Sequence, residues 1–371
     1  MTGPPLRIGV DAREIIGDAT GVGRYLGELL LRWTARPDAD LRNFVLFAPS
    51  APSLPLPASH VDVRVLPAAH AGTWWEQTAL RTAAGRETLD AFFAPAYTAP
   101  LGLRVPLALT IHDVSFLAHP EWFRPRERMR RRWLTRRSAQ SAAVVFTDST
   151  FSRDEILRHI PLDPARIEVI APGVSPRHRP VARSAAPDPL VLFVGSVFNR
   201  RRLPQLIAAF ARATAGLPKA RLVIVGSNRT WPHQDLESVA TAHGVRERVD
   251  VRSYVDEGKL ATLYSRASLF AFLSEYEGFG LTPLEALAAG VPVLVLDTPV
   301  AREVYGPAAT YVPAAADVTE TAALIGAALG GSEGTGATLQ HAGAVLQRYS
   351  WEDAAMRTLA GIERTVRRPW R

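Results

Sequence analysis

Two glutamates eight positions apart, Glu277 and Glu285, bracket the run Gly278-Phe279-Gly280-Leu281-Thr282-Pro283-Leu284. A helical apolar run from Ala286 to Ala289 follows and closes at Gly290, and Val291 to Leu296 then reads as a strand. A helix that begins just after a glycine turn presents unpaired backbone N–H groups and the positive end of its dipole, which is a seat for phosphate. Carboxylates repel phosphate, so the partners expected for Glu277 and Glu285 are hydroxyl groups. A ligand carrying both phosphate and many hydroxyls is a nucleotide-sugar. The same residues admit a structural reading. Thr282-Pro283-Leu284-Glu285 has the form of a capping box, with threonine at N-cap, proline at N1 and glutamate at N3, worth about 1 kcal/mol of helix stability. That reading leaves Glu277, and the phenylalanine between two glycines, without a reason.

Other groups sit where strands end. His112-Asp113 follows the strand-like run Leu107 to Ile111, and Gly195-Ser196 follows Leu190 to Val194. Arg200, Arg201 and Arg202 then lead into a helical pattern, an electropositive mouth suited to a diphosphate leaving group or, more simply, a solvated basic loop. Gly21 and Gly23 lie in a loop that runs into a helix, where glycine lets backbone approach an anion closely. About ten residues separate them from the strand Leu6 to Val10, too many for a dinucleotide-binding turn. His119, before Pro120, reads as part of a loop.

The segment Arg124 to Arg137 holds Arg124, Arg126, Arg128, Arg130, Arg131, Arg132, Arg136 and Arg137 around Trp133 and Leu134. On a helix these arginines nearly encircle the axis. They suit an anionic membrane surface or a lipid-phosphate acceptor, or local pairing with Glu121 and Glu127. Nucleic acid fits less well, because no aromatic stacking platform or recognition module accompanies them.

The elements that must position these groups follow from patterning. At 371 residues, nearly half of them apolar, the chain is long enough for two cores. Strand-like runs at Leu6–Val10, Phe44–Phe47, Val61–Leu66, Ala91–Phe93, Leu107–Ile111 and Ala143–Phe146 alternate with helical patterns. A second series restarts at Leu190–Val194, Leu222–Val225, Val249–Val251, Leu269–Leu273 and Val293–Leu296. Apolar strands alternating with helices predict parallel sheets covered on both faces. Pro172 to Pro189, rich in proline, arginine, serine and alanine, is the expected linker. Leu329 to Gly336 is the expected flexible loop, and a helix from Trp351 to about Val366 ends the chain.

The chain has no cysteine, which excludes disulfides and thiolate metal sites, and Met1 to Leu6 lacks a signal pattern. No apolar run approaches the length that spans a bilayer. The formal charge of +7, carried almost wholly by arginine, favours anionic partners.

With these residues assembled, the chain resembles the retaining GT-B glycosyltransferases of glycosyltransferase family 4, which include many bacterial GDP-mannose-dependent mannosyltransferases. Ile8-Gly9-Val10-Asp11-Ala12-Arg13 with Thr20-Gly21-Val22-Gly23-Arg24-Tyr25 resembles the family's opening. Thr110-Ile111-His112-Asp113-Val114-Ser115-Phe116 resembles its central amino-domain motif. Phe193-Val194-Gly195-Ser196 with the arginine loop, and Glu277 through Gly290 with the E-x7-E pattern, resemble the donor-binding half.

The resemblance implies an α/β fold of GT-B architecture, two Rossmann-like doubly wound domains facing each other across a deep cleft. Residues 1–180 would form an acceptor domain and 181–350 a nucleotide-sugar domain, with 351–371 packing back on the first. Glu285 would hold the ribose; Glu277 and the backbone of Gly278, Phe279 and Gly280 would face the donor sugar. The backbone of Leu281 and Thr282 would cap the phosphates, with Ser196, Arg200 and Arg201 beside them. Gly23 would close over the diphosphate, with Gly21 also among the donor-binding residues, and His112 would line the reaction centre. The catalytic set is then His112, Arg201 and Glu277. The family places a lysine where this chain has Arg201, which keeps the charge but is bulkier and cannot act as a compact point charge.

The implied reaction is hexosyl transfer with retained configuration. The donor would be GDP-mannose or else a UDP-sugar, and the acceptor a saccharide, a lipid-linked saccharide or a small molecule. No cofactor or metal is expected. The protein is expected to be cytoplasmic, with peripheral contact at the inner face of the cell membrane. A nucleotide-sugar epimerase, a non-catalytic nucleotide-sugar-binding paralogue and, last, an NAD-dependent dehydrogenase are the competing readings.

Overall fold

The computed structural model describes residues 4–17, 21–52, 54–174, 188–331 and 333–367. They group into two compact units. Unit 1 comprises the chain up to Ala118, Pro125–Gly173 and the stretch from Ser350 onward; unit 2 comprises His119–Arg124 and Val174–Tyr349.

Unit 1 is built on seven parallel strands: β1 (Leu6–Asp11), β2 (Arg42–Ala48), β3 (Val61–Val65), β4 (Ala91–Ala94), β5 (Leu107–Thr110), β6 (Val144–Thr147) and β7 (Ile167–Val169). Their order is β3-β2-β1-β4-β5-β6-β7. Side chains alternate between faces along each strand, so both faces of the sheet must be apolar. In β2, Phe44 and Leu46 enter one core with Leu26, Trp33 and Phe93, whereas Val45 and Phe47 enter the other with Phe92, Leu109 and Val145. The helix Trp351–Arg367 belongs to the first core through Trp351, Leu359 and Ile362. It is fixed there by the Trp33 indole, which donates to the Ala355 carbonyl at 2.7 Å. Gly361 lets it lie directly on the Phe146 ring, where a methyl group would collide.

Strand order reverses between β1 and β4, and a charged cluster fills the carboxyl end of β1. The Arg13 guanidinium bridges Asp11 and the fully buried Glu76, which also accepts from the Thr98 hydroxyl at 2.7 Å. Burial, with Glu76 close by, raises the Asp11 carboxyl above its ordinary range even though Arg13 pulls it down.

Unit 2 repeats the plan with β8 (Leu190–Val194), β9 (Arg221–Val225), β10 (Val249–Arg252), β11 (Leu269–Phe272), β12 (Val293–Leu296) and β13 (Ala309–Val312), all parallel, in the order β10-β9-β8-β11-β12-β13. The reversal falls between β8 and β11. In such sheets ligands bind outside the carboxyl ends of the strands at this switch point. Residues 119–124 lie on unit 2: His119 stacks on Trp122 at 4.0 Å and meets the Tyr276 ring edge-on, and Arg124 lies 4.7 Å over Trp231.

Several expectations need correction. The chain changes unit at Gly173–Val174, before residue 180, and most of the expected linker (175–187) lies outside the described residues. Two further strands, β7 and β13, complete the sheet edges. The expected loop over Leu329 to Gly336 contains the start of a helix, Glu333–Gln340, which packs against β13.

Candidate functional site

The switch point of unit 2 is where the arginine loop meets the glutamate loop. β8 ends at Val194, and Gly195 takes φ +140, a conformation that side chains rarely adopt. A methyl group there would overlap the Arg201 guanidinium, so this glycine makes room for the arginine. Arg201 Nη1 donates to the Ser196 carbonyl at 2.7 Å, and its Nε donates to Glu277 Oε1 at 3.0 Å. The Ser274 hydroxyl, just past β11, donates to the same carboxylate oxygen at 2.8 Å. Among the described residues both bonds fall on Oε1 and none on Oε2. The Arg201 guanidinium also lies within 6 Å of the Phe193, Phe198 and Phe272 rings, at 5.9, 5.5 and 5.0 Å. Burial pushes Arg201 below the usual arginine range, and Glu277 opposes that shift.

Arg200 is buried beside it, with Nε donating to the Tyr276 carbonyl at 2.9 Å and the guanidinium 4.4 Å over Phe198. Arg202 turns away: it is left-handed at φ +49, pairs with Glu275 and donates to the Ala314 carbonyl at 3.0 Å. The three consecutive arginines therefore separate into two that line the switch point and one that starts the helix Leu203–Ala213.

The helix after the glutamate loop is Leu281–Ala288, and its N-cap is Gly280 at φ +90, ψ +72. The capping box does not form. Thr282 stands at N2 and Pro283 at N3, where a missing N–H leaves no helical bond unmade, and no side chain caps the helix. The left-handed glycine starts the helix two residues before the threonine can act. Glu285, nine-tenths buried, instead accepts from the Tyr264 hydroxyl at 3.3 Å. Phe279 is buried edge-on against Tyr349 at 5.0 Å. Tyr305 holds the turn: its hydroxyl donates to the Gly280 carbonyl at 2.8 Å and occupies the space a Cβ at residue 280 would need. Burial, with Glu277 close by, raises the Tyr305 phenol well above its ordinary value, so it is a donor at neutral pH. A hollow lined by Phe272, Ser274, Glu277, Thr298 and Tyr305 opens beside this turn.

In unit 1, His112 follows β5, and both ring nitrogens are engaged. Nδ1 lies 2.8 Å from Asp148 Oδ2 and Nε2 lies 2.9 Å from the Pro95 carbonyl. Both partners are acceptors, so satisfying both requires two N–H groups, an imidazolium. Burial opposes that charge, yet Asp148 and the Pro95 carbonyl outweigh it and raise the His112 pKa. Gly21 and Gly23 lie within the first turn of the helix Gly21–Thr34 rather than in a loop before it. Gly21 is exposed with open space around it, and Gly23 is buried.

The structure thus brings Ser196, Arg200, Arg201 and Glu277 together in unit 2 and sets Gly280, Leu281 and Thr282 as a helix start. Sequence reasoning missed Ser274, Tyr305 and Asp148. Ser274 and Asp148 carried a signal, since each follows the end of a strand next to one already singled out. Tyr305 carried none. Among the described residues no group of three histidine or carboxylate side chains could hold a metal ion.

Two family models lie end to end on the chain. One, Glycosyltransferase Family 4, matches residues 19–178, and the other, Glycosyl transferases group 1, matches residues 174–333. The chain belongs to glycosyltransferase family 4.

Family 4 relatives include O-antigen chain mannosyltransferase B of Escherichia coli, 29% identical over 54% of this chain and 55% of the relative. The GDP-mannose:cellobiosyl-diphosphopolyprenol alpha-mannosyltransferase of Xanthomonas campestris is 28% identical over 46% of each. The D-inositol 3-phosphate glycosyltransferase of Mycolicibacterium paratuberculosis is 36% identical over 55% of this chain and 49% of the relative. The chain spans about half the length of the curated relatives it matches. Among solved structures, a sucrose-phosphate synthase from Thermosynechococcus elongatus superposes with a TM-score of 0.79 at 19% identity, over 97% of this chain and 99% of the other. WaaG, a glycosyltransferase involved in lipopolysaccharide biosynthesis, gives 0.75 at 17% identity over 96% and 99%. The fold is GT-B, two parallel α/β units.

Proposed function

We propose that this family 4 protein is a retaining glycosyltransferase that moves a hexose, best read as mannose from GDP-mannose, to a saccharide or lipid-linked acceptor. The observation that carries the reading is the pairing of Arg201 with Glu277 at the switch point of unit 2, beside an uncapped helix start. Guanidinium groups and exposed amides suit a diphosphate, and a carboxylate with an uncommitted oxygen suits sugar hydroxyls.

In the proposed reaction the bond from the anomeric carbon to the donor phosphate breaks, and its electron pair leaves with the nucleoside diphosphate. The acceptor hydroxyl forms the new bond with retained configuration and gives its proton to the departing phosphate oxygen. Negative charge grows on the departing phosphate, where Arg200, Arg201 and the Leu281 and Thr282 N–H groups stabilise it. Glu277 and the backbone of Gly278 to Gly280 hold the sugar, Ser196 borders the phosphates, and Glu285, shared with Tyr264, takes the ribose. For unit 1 we assign acceptor handling, with His112 as a fixed positive charge and Gly21 and Gly23 as a helix start that admits an anion. The proposed location is the cytoplasm.

Mannose is favoured because two of the relatives named above are mannosyltransferases, and the name of one specifies GDP-mannose. A second reading, a small phosphorylated polyol as acceptor, is favoured by the 36% identity to a D-inositol 3-phosphate glycosyltransferase.

A melting-temperature screen against GDP-mannose, UDP-glucose and UDP-N-acetylglucosamine tests the donor, since a ligand that prefers the folded state raises the melting temperature. The proposal expects the largest rise with GDP-mannose. A rise with no nucleotide-sugar would contradict it.

A further inference from the structure

We propose that the helix Pro125–Ser141 docks this protein onto an anionic lipid bilayer. The helix carries seven arginines against one carboxylate, Glu127. It is not encircled by exposed charge, because Leu134, Thr135, Ser138 and Ala139 turn inward into unit 1. The outward stripe follows from the spacing: Arg126, Met129, Arg130, Trp133 and Arg137 recur at helical intervals and share one face. Met129 is 60% and Trp133 is 55% exposed, so the middle of the arginine stripe is apolar and open to solvent.

Among the described residues, local pairing engages Arg131 and Arg136 and leaves this face unpaired. Glu127 pairs with Arg131 at 2.8 Å, and Arg136 donates to the His159 carbonyl at 3.0 Å. Among the described residues no carboxylate pairs with Arg126, Arg130 or Arg137. Arg126 with Arg130, Arg128 with Arg132, and Arg132 with Arg136 are like charges one turn apart, which disfavours the helix until an anion lies along it.

An exposed tryptophan and methionine inside a basic stripe match an interface that is anionic at its surface and apolar just beneath. Arginine heads reach lipid phosphates while the indole settles at headgroup depth. No helix among the described residues is long and apolar enough to cross a membrane, so the docking is peripheral. Nucleic acid would engage the arginines but gives the apolar centre no role.

The test is co-sedimentation of the full chain with phosphatidylcholine vesicles and with vesicles of equal phosphatidylcholine and phosphatidylserine. The proposal expects binding to the mixed vesicles only, lost at high salt and lost in the Arg126→Glu/Arg130→Glu/Arg137→Glu variant. Trp133→Ala should weaken it several-fold with circular dichroism and melting temperature unchanged. Equal binding to neutral vesicles, or wild-type binding by the charge-reversed variant, would overturn the proposal. So would single-stranded DNA bound as tightly as the mixed vesicles with Trp133→Ala changing neither.

Discussion

The Tyr305 hydroxyl stands where a side chain at residue 280 would have to be, and it donates to the Gly280 carbonyl at 2.8 Å. One tyrosine, distant in sequence, thereby locks the left-handed residue that starts the helix Leu281–Ala288. Gly280→Ala should cost about 1–3 kcal/mol through backbone strain, with the collision added. Tyr305→Phe should cost about 1 kcal/mol, the worth of one hydrogen bond. In the Tyr305→Phe background the alanine should cost less than in wild type, because the collision is relieved while the strain remains. Urea unfolding of the four proteins measures this. Additivity within about 0.5 kcal/mol would show that the two residues do not meet.

The arginine loop rests on Gly195 in the same way. Gly195→Ala at φ +140 should destabilise unit 2 and displace Arg201 from Ser196 and Glu277. Melting temperature should fall, and affinity for a nucleoside diphosphate should drop with it. An unchanged melting temperature would count against the close approach.

How far the sequence disclosed this can be seen residue by residue. The unbroken apolar run Phe44 to Phe47 told that β2 has two buried faces, the strand ends pointed to His112 and Ser196, and the glycine turn pointed to Glu277. The short strands β7 and β13 were harder, because three or four residues at a sheet edge carry little pattern. Glycines in Glu333-Gly334-Thr335-Gly336 argue against helix, and packing on β13 overrode that propensity. The Thr282-to-Glu285 spacing looked like a cap because sequence does not display the positive φ of Gly280. Tyr305 was invisible for a simpler reason: contact with residue 280 comes from the fold alone.

His112 gives a pH signature with a definite sign. Its folded pKa is raised above the unfolded value of about 6.5, so the stability it contributes is fully present below that pH. That contribution is lost as pH rises through the raised folded value. The melting-temperature gap between wild type and Asp148→Asn should therefore be widest in mild acid and narrow toward alkaline pH. A gap independent of pH would contradict the imidazolium.

In unit 1 the Asp11–Arg13–Glu76 cluster makes a separate prediction. Arg13→Met would leave two buried carboxylates without their shared cation, at a cost of about 3–5 kcal/mol. Adding Glu76→Gln should recover part of that loss. Chemical denaturation distinguishes this from a cluster with no energetic role, in which neither change moves the midpoint.

The Glu277 carboxylate is the group on which the proposed reaction depends, and calorimetric titration of GDP and GDP-mannose into wild type and Glu277→Gln tests it most directly. Wild type should bind both ligands, and the variant should keep its affinity for GDP while losing roughly tenfold for GDP-mannose, about 1.4 kcal/mol. Equal affinity of the two proteins for the sugar nucleotide, or no binding of either ligand to wild type, would contradict the account.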